Sequence, residues 1–127
     1  MQVEVRRWVR KAESDLNGAR QLRGGTPQLN DVICFHCQQA AEKYLKALLQ
    51  QLGAAVPRTH DLADLLDLLL PHDATLRPLR RGLLFLTQFA VDYRYPGENA
   101  TKRQAHTAIR WAEQIRLELR ARLGMKA

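Results

Sequence analysis

Apolar residues recur at spacings of three and four along almost the whole of this chain, and strict alternation of polar and apolar residues is nowhere sustained. A period near 3.6 gives a helix one continuous apolar face, whereas a half-buried strand needs a period of two. The chain is therefore expected to be all-α. Val5, Trp8, Val9, Ala12, Leu16, Ala19 and Leu22 mark the first stripe, on a helix from about Val3 to Arg23 that Gly24, Gly25 and Pro27 end. A second helix starts at Asn30 or Asp31 and stops near Gly53, with Ile33, Cys37, Ala40, Ala41, Tyr44, Leu48 and Leu52 inward. The Leu-rich run HDLADLLDLLL forms a third, capped by Thr59 and closed by Pro71.

Residues 74 to 93 predict a fourth helix, with Pro78 in its first turn and Leu79, Leu83, Leu86, Phe89 and Ala90 inward. The last runs from about Asn99 to Leu123, where Gly124 is the stop signal. Its inner stripe is Ala105, Ala108, Ile109, Ala112, Ile115, Leu119 and Leu123, while Lys102, Arg103, Arg110 and Arg120 look outward. Short connections favour antiparallel neighbours, so the expected architecture is an up-and-down bundle of four long helices and one shorter helix.

The 127 residues suit one domain, residues 1–127, and suffice for a real core. No apolar run approaches the roughly 20 residues of a membrane span, and MQVEVRRWVR lacks the apolar stretch of a secretory signal, which predicts a cytoplasmic protein with no membrane contact. Lys and Arg number 20 against 13 Asp and Glu, a formal charge of +7. That balance favours a polyanion or an acidic protein as partner, although solubility also selects charge away from zero. Fifteen of the 20 basic residues are Arg, the side chain suited to bidentate phosphate contacts. Cys34 and Cys37 make a CxxC, but with no second pair and no preceding strand they read as small buried thiols. No metal and no cofactor are expected.

Two stretches can carry chemistry. On a helical wheel, FHCQQAAEKYLK (35–46) places His36, Gln39, Lys43 and Lys46 on one flank of the apolar stripe. Phe35 and Leu49 fall nearly opposite that stripe. Their placement implies a second buried face, supplied by another helix of the chain or by a partner subunit in a two-fold dimer. His36 is read either as a ligand or catalytic group or as a boundary histidine, and Glu42 with Lys46 as an ordinary i, i+4 pair.

The other stretch is Asp92-Tyr93-Arg94-Tyr95-Pro96, between two helices. An Arg flanked by two Tyr offers a phosphate contact beside faces on which a base can stack, or else the rings cover the bundle's end and Arg94 pairs with Asp92. His106 lies close in sequence to Lys102 and Arg103.

FHCQQAAEKYLKALL, the Thr59-His60-Asp61-Leu62 segment and YRYP at 93 to 96, with an opening helix bearing Trp8, Ala12, Asp15 and Leu16, together resemble the HEPN family (higher eukaryote and prokaryote nucleotide-binding domain). The likeness covers nearly the whole chain. It implies a small helical bundle that usually dimerises, often beside a minimal nucleotidyltransferase in a pair resembling toxin and antitoxin. It implies nucleotide or RNA as ligand, contacted here by Arg94, Tyr95, Lys43, Lys46 and Gln39, with Phe35 and Leu49 at the interface.

Many members of the family are metal-independent ribonucleases in which an Arg and a His, with four to six residues between them, meet across the dimer. This chain departs from that pattern. Arg58 and His60, and Arg103 and His106, stand too close, while Arg94 and His106 stand too far apart. An alternative catalytic set is Arg94 with His36 or His106, the imidazole moving a proton from a ribose 2′-hydroxyl and the guanidinium stabilising the phosphorane. Tyr93 or Tyr95 is a further candidate, as an acceptor for modification by the partner nucleotidyltransferase.

Overall fold

The computed structural model describes residues 1–91 and 96–127, and among them every regular element is helical. The elements are α1 (Val3–Leu22), α2 (Asn30–Gln51), α3 (Leu62–Leu69), a 3-10 turn (Ala74–Leu79), α4 (Arg80–Thr87) and α5 (Lys102–Arg122). No described helix is long and apolar enough to cross a membrane. Asp92, Tyr93, Arg94 and Tyr95 lie outside the described residues, and with them the proposed roles of Arg94 and both tyrosines.

The centre of the bundle is α2, which packs against α1, α3, α4 and α5. A helix covered from that many sides has more than one buried face. Beyond the predicted stripe, Cys34, Leu45, Ala47 and Leu49 are also fully buried, and so are Gln38, Glu42 and Lys46 or nearly so. Leu49 is therefore a core residue of its own chain and not an interface residue: a helix of the same chain supplies its second buried face. Phe35 remains half-buried. Leu52, expected inside, is 41% exposed, because α2 has ended and the chain turns away.

The helix ends show how local chemistry sets boundaries. After α2, Gly53 takes a φ of 73°, Gly53 N donates to Gln50 O, and Ala54 N donates to Leu49 O at 3.0 Å. The pattern repeats after α5 at Gly124, φ 76°, with Met125 N on Arg120 O. Both are glycine stops whose left-handed backbone a side chain would strain, and both were legible as such. Thr101 and Gln104 form a capping box at the start of α5, with Gln104 N donating to Thr101 Oγ1 at 3.0 Å and Thr101 N to Gln104 Oε1 at 2.9 Å.

Two boundaries differ from expectation. The cap of α3 is Asp61, whose Oδ1 accepts from Ala63 N at 2.9 Å, while Thr59 Oγ1 accepts from Asp61 N and so braces the cap from behind. The fourth helix divides into the 3-10 turn and the short α4, since Pro78 has no amide to give and the turn around it tightens before regular helix begins at Arg80. Among the described residues the bundle thus has three long helices and two short ones, where four long and one shorter were expected. α4 and α5 approach closely at Gly82, where an added Cβ would sit 2.2 Å from Trp111 Cε3.

Cys34 and Cys37 are not bridged to each other and are fully buried, and burial raises the Cys37 thiol well above its ordinary value. A thiol held protonated in this way is a packing group. Among the described residues no group of His, Cys, Asp and Glu is arranged to hold a metal ion.

Candidate functional site

The polar flank of α2 was expected to face a ligand, and the structure shows what it faces instead. Asp15 of α1 reaches across and accepts from Lys43 Nζ at 2.5 Å, while its other oxygen lies 3.0 Å from His36 Nδ1. The Asp15 side chain is only 14% exposed, against 33% for His36. With Nδ1 engaged, Nε2 is the ring nitrogen left for any other partner. This is the arrangement in which a carboxylate orients an imidazole.

Interleaved with it along α2 lies a second carboxylate cluster, deeper in the fold. Glu42 receives Lys46 Nζ at 3.0 Å and Gln38 Nε2 at 3.3 Å, and lies 2.9 Å from His60 Nδ1. Gln38 Nε2 also donates to the His60 carbonyl, and Gln39 Nε2 donates to Gln38 Oε1 at 2.7 Å. The Lys46 ammonium stands 5.7 Å from the centre of the Trp8 ring. Lys46 and Glu42 side chains are 7% and 5% exposed, so the pair is a buried ion pair rather than a solvated surface one. Lys46 is therefore not presented to a ligand. Its charge is spent inside the molecule, because α1 covers the flank on which the wheel places it.

A third network joins α1, α2 and α5. Tyr44 Oη donates to Glu13 Oε2 at 2.5 Å, Arg116 Nε donates to the same oxygen at 2.8 Å, and Arg120 Nη1 donates to Tyr44 Oη at 3.2 Å. Burial pushes the Tyr44 hydroxyl up to about 12, helped by its bond to Glu13. For Glu13 burial acts in the raising direction, but the hydrogen bonds from Arg116 and Tyr44 outweigh it and hold the carboxyl below its ordinary value. Arg120, expected to look outward, is folded onto this network.

The first half of α5 is different. Lys102, Arg103, His106 and Arg110 fall within about 100° of arc on the helix and are all exposed. No acidic residue lies between 102 and 110, and none of these four side chains makes an ion pair or hydrogen bond with any described residue. The basic runs of α1 lack this character, because Glu4, Glu13 and Asp15 are interspersed among them. His36 meets α1 and His106 stands in this stripe, and the two are not joined in a hydrogen-bonded dyad.

The sequence matches the HEPN domain over residues 5–121. The chain belongs to the HEPN family. Among solved structures, the HEPN chain is similar to ST0689, described as an archaeal HEPN homologue, at 28% identity and a TM-score of 0.76, with 93% of this chain and 96% of that one covered. It is also similar to TT1696 from Thermus thermophilus, at 28% identity and a TM-score of 0.81, covering 94% and 98% of the two chains. No curated protein matches.

For a HEPN bundle of this kind, the periodicity placed His36 and Lys43 on one flank of the α2 stripe but did not give their partner. Asp15 belongs to a different helix, and no spacing rule links Lys43 to a residue so distant in the chain. The signal that was available is the presence of an acidic residue on the otherwise apolar margin of α1.

Proposed function

We propose that this HEPN protein binds nucleotide or RNA as the dimeric partner of a minimal nucleotidyltransferase, in a pair of the toxin and antitoxin kind. The observation that carries the ligand part is the acid-free, unpaired stripe Lys102, Arg103, His106 and Arg110 on α5. Charges already paired within a protein gain little from a phosphate, whereas unpaired exposed ones release counterions when a polyanion docks. The net charge of +7 acts in the same direction by steering anionic partners. Family membership supports the partner part, and the stripe on α5 offers an acidic protein the same complementarity.

The test is binding of labelled single-stranded RNA and of ATP at two salt concentrations, alone and with a minimal nucleotidyltransferase, should one be encoded beside it. The reading expects affinity that falls steeply with salt and a complex that survives gel filtration. No binding of either ligand at low salt defeats the ligand part, and no complex defeats the partner part.

The Asp15 and His36 pair favours a second reading, a metal-independent ribonuclease toxin in which His36 Nε2 moves the proton of a 2′-hydroxyl. It predicts RNA cleavage in the presence of chelator that His36→Ala abolishes. Intact RNA after incubation with the folded protein, with and without its partner, eliminates it.

A further inference from the structure

Beside the α5 stripe lies a cleft of about 410 Å³, within the roughly 300–1,000 Å³ range of small-molecule sites. Thr75, Pro78 and Leu79 of the 3-10 turn form one wall, and Arg110, Trp111, Gln114 and Glu118 of α5 the other. Positions 110, 114 and 118 follow one another at four-residue steps, so the cleft runs along about 12 Å of helix at 1.5 Å per residue.

Its aromatic group is held in place. The Trp111 indole rests on Gly82, where a Cβ would stand 2.2 Å from Cε3 and 2.4 Å from Cδ2. Only glycine admits the ring there. Yet Trp111 is only half-buried, so an indole of fixed orientation also borders open space in the cleft.

The polar groups divide the cleft into two ends. At one end Glu118 is neutralised by Arg122, whose Nη1 donates to Glu118 Oε2 at 2.6 Å, and Arg122 Nη2 donates to Thr75 Oγ1 at 2.9 Å. At the other, Arg110 is exposed and has no partner among the described residues. Between them Gln114 makes one long bond to Glu118, 3.3 Å, which leaves its amide oxygen free to meet a donor. An aromatic face, a primary amide and an unpaired guanidinium thus occur within little more than one helical turn. A purely apolar ligand would leave the amide and the cation unmatched, and a bare phosphate would leave the indole unused.

The geometry points to a site for one nucleobase and its adjoining phosphate, with the base on Trp111, its edge at Gln114 and the phosphate at Arg110. Stacking tolerates any base, and an arginine beside it adds a cation to the phosphate contact. The inference rests on the nucleotide or RNA reading above and specifies which residues take the base. The same chemistry can come from a free nucleotide or from an unpaired residue of a strand.

The full-length protein carrying Trp8→Phe reports Trp111 alone by fluorescence. Titrating it with AMP, with a short single-stranded oligoribonucleotide, and with the same oligomer made abasic separates the sources. Quenching by AMP assigns a free nucleotide, and quenching by the base-bearing oligomer alone assigns a strand. Trp111→Ala should weaken base-bearing ligand roughly 5- to 150-fold, the range for loss of one stacked base, and abolish the preference over the abasic oligomer. Trp111→Phe should keep most of both, and Arg110→Gln should weaken AMP and oligomer alike. Should Trp111→Ala fail to fold, quenching and the Arg110→Gln titration decide. Binding that proceeds without quenching, or equal affinity for base-bearing and abasic oligomers, overturns the base site and leaves the α5 stripe standing. Absence of all binding at low salt overturns both.

Discussion

The flank of α2 and the first half of α5 carry similar side chains, yet they hold them in opposite states. On α2, Lys43 and Lys46 each sit against a carboxylate, Asp15 and Glu42, and both cations are more than three-quarters shielded from solvent. On α5, Lys102, Arg103 and Arg110 have no such partner among the described residues and are exposed. The difference follows from position in the bundle. α2 is covered by four neighbours, and a charge that close to the interior is tolerated only when paired. The N-terminal half of α5 lies at the margin, where water solvates charge without a partner. A formal charge of +7 therefore says how much charge there is, while the fold says which of it a ligand can meet.

The largest expected effect that would break this contrast is at Glu42. Glu42→Ala should cost about 3–5 kcal/mol, because it strands a buried Lys46 ammonium. Denaturant unfolding checks this, and a loss below about 1 kcal/mol would show that Lys46 reaches water and is not confined. RNA affinity of the folded fraction should be unchanged.

Next comes the exposed stripe. Replacing Lys102, Arg103 and Arg110 together by Gln should flatten the salt dependence of RNA binding by about two in the log–log slope, at roughly 0.7 per phosphate contact on a single strand. Stability should stay within about 0.5 kcal/mol per site. A slope that does not move places the RNA elsewhere.

Lys43→Gln should give the converse result. With Asp15 left to His36 alone, stability should fall by about 1 kcal/mol, while RNA affinity should change less than about twofold. A large loss of affinity would mean that Lys43 leaves Asp15 when ligand arrives.

The effect that is smallest at neutral pH is that of titration. Glu13 has a folded pKa below its ordinary 4.5, so its stabilisation is present above that value and disappears as pH falls through the lower folded one. Tyr44 is shifted in the other sense, from 10.0 to about 12, so stability should be level below pH 10 and decline between 10 and 12. Tyr44→Phe should remove the alkaline decline and shrink the acid one, since its hydroxyl is one of the donors that hold the Glu13 carboxyl down, as followed by thermal unfolding against pH.

Much of the fold could be read directly. The stripes of α1 and α5 predicted as inward Val5, Trp8, Val9, Ala12, Leu16, Ala19 and Leu22, and Ala105, Ala108, Ile109, Ala112, Ile115, Leu119 and Leu123; all are buried except Trp8 and Leu22, which are half-buried against the core. Those helices lie at the edge of the bundle, where one face is dry and one is wet, the condition that periodicity detects. α2 violates that condition. Its polar residues include the fully buried Gln38, and its apolar ones wrap more than one side, so the wheel divided it into faces that the packing does not respect. The site was less legible for a related reason: Asp15, Glu42 and His60 act on residues 18 to 28 positions away, through pairings that exist only after α1, α2 and the segment before α3 have come together.

By itself, then, the order of residues determined the helical class, the glycine stops at Gly53 and Gly124, the inner faces of the outer helices and the family signature, because each depends on neighbours within about one or two turns. Tertiary structure alone decided that Lys46 is confined and Arg110 is not, that Leu49 faces its own core, and that Trp111 rests on Gly82 beside an open cleft. Those outcomes depend on how much water each charge and ring retains, which is a property of what packs over a position rather than of its place in the chain.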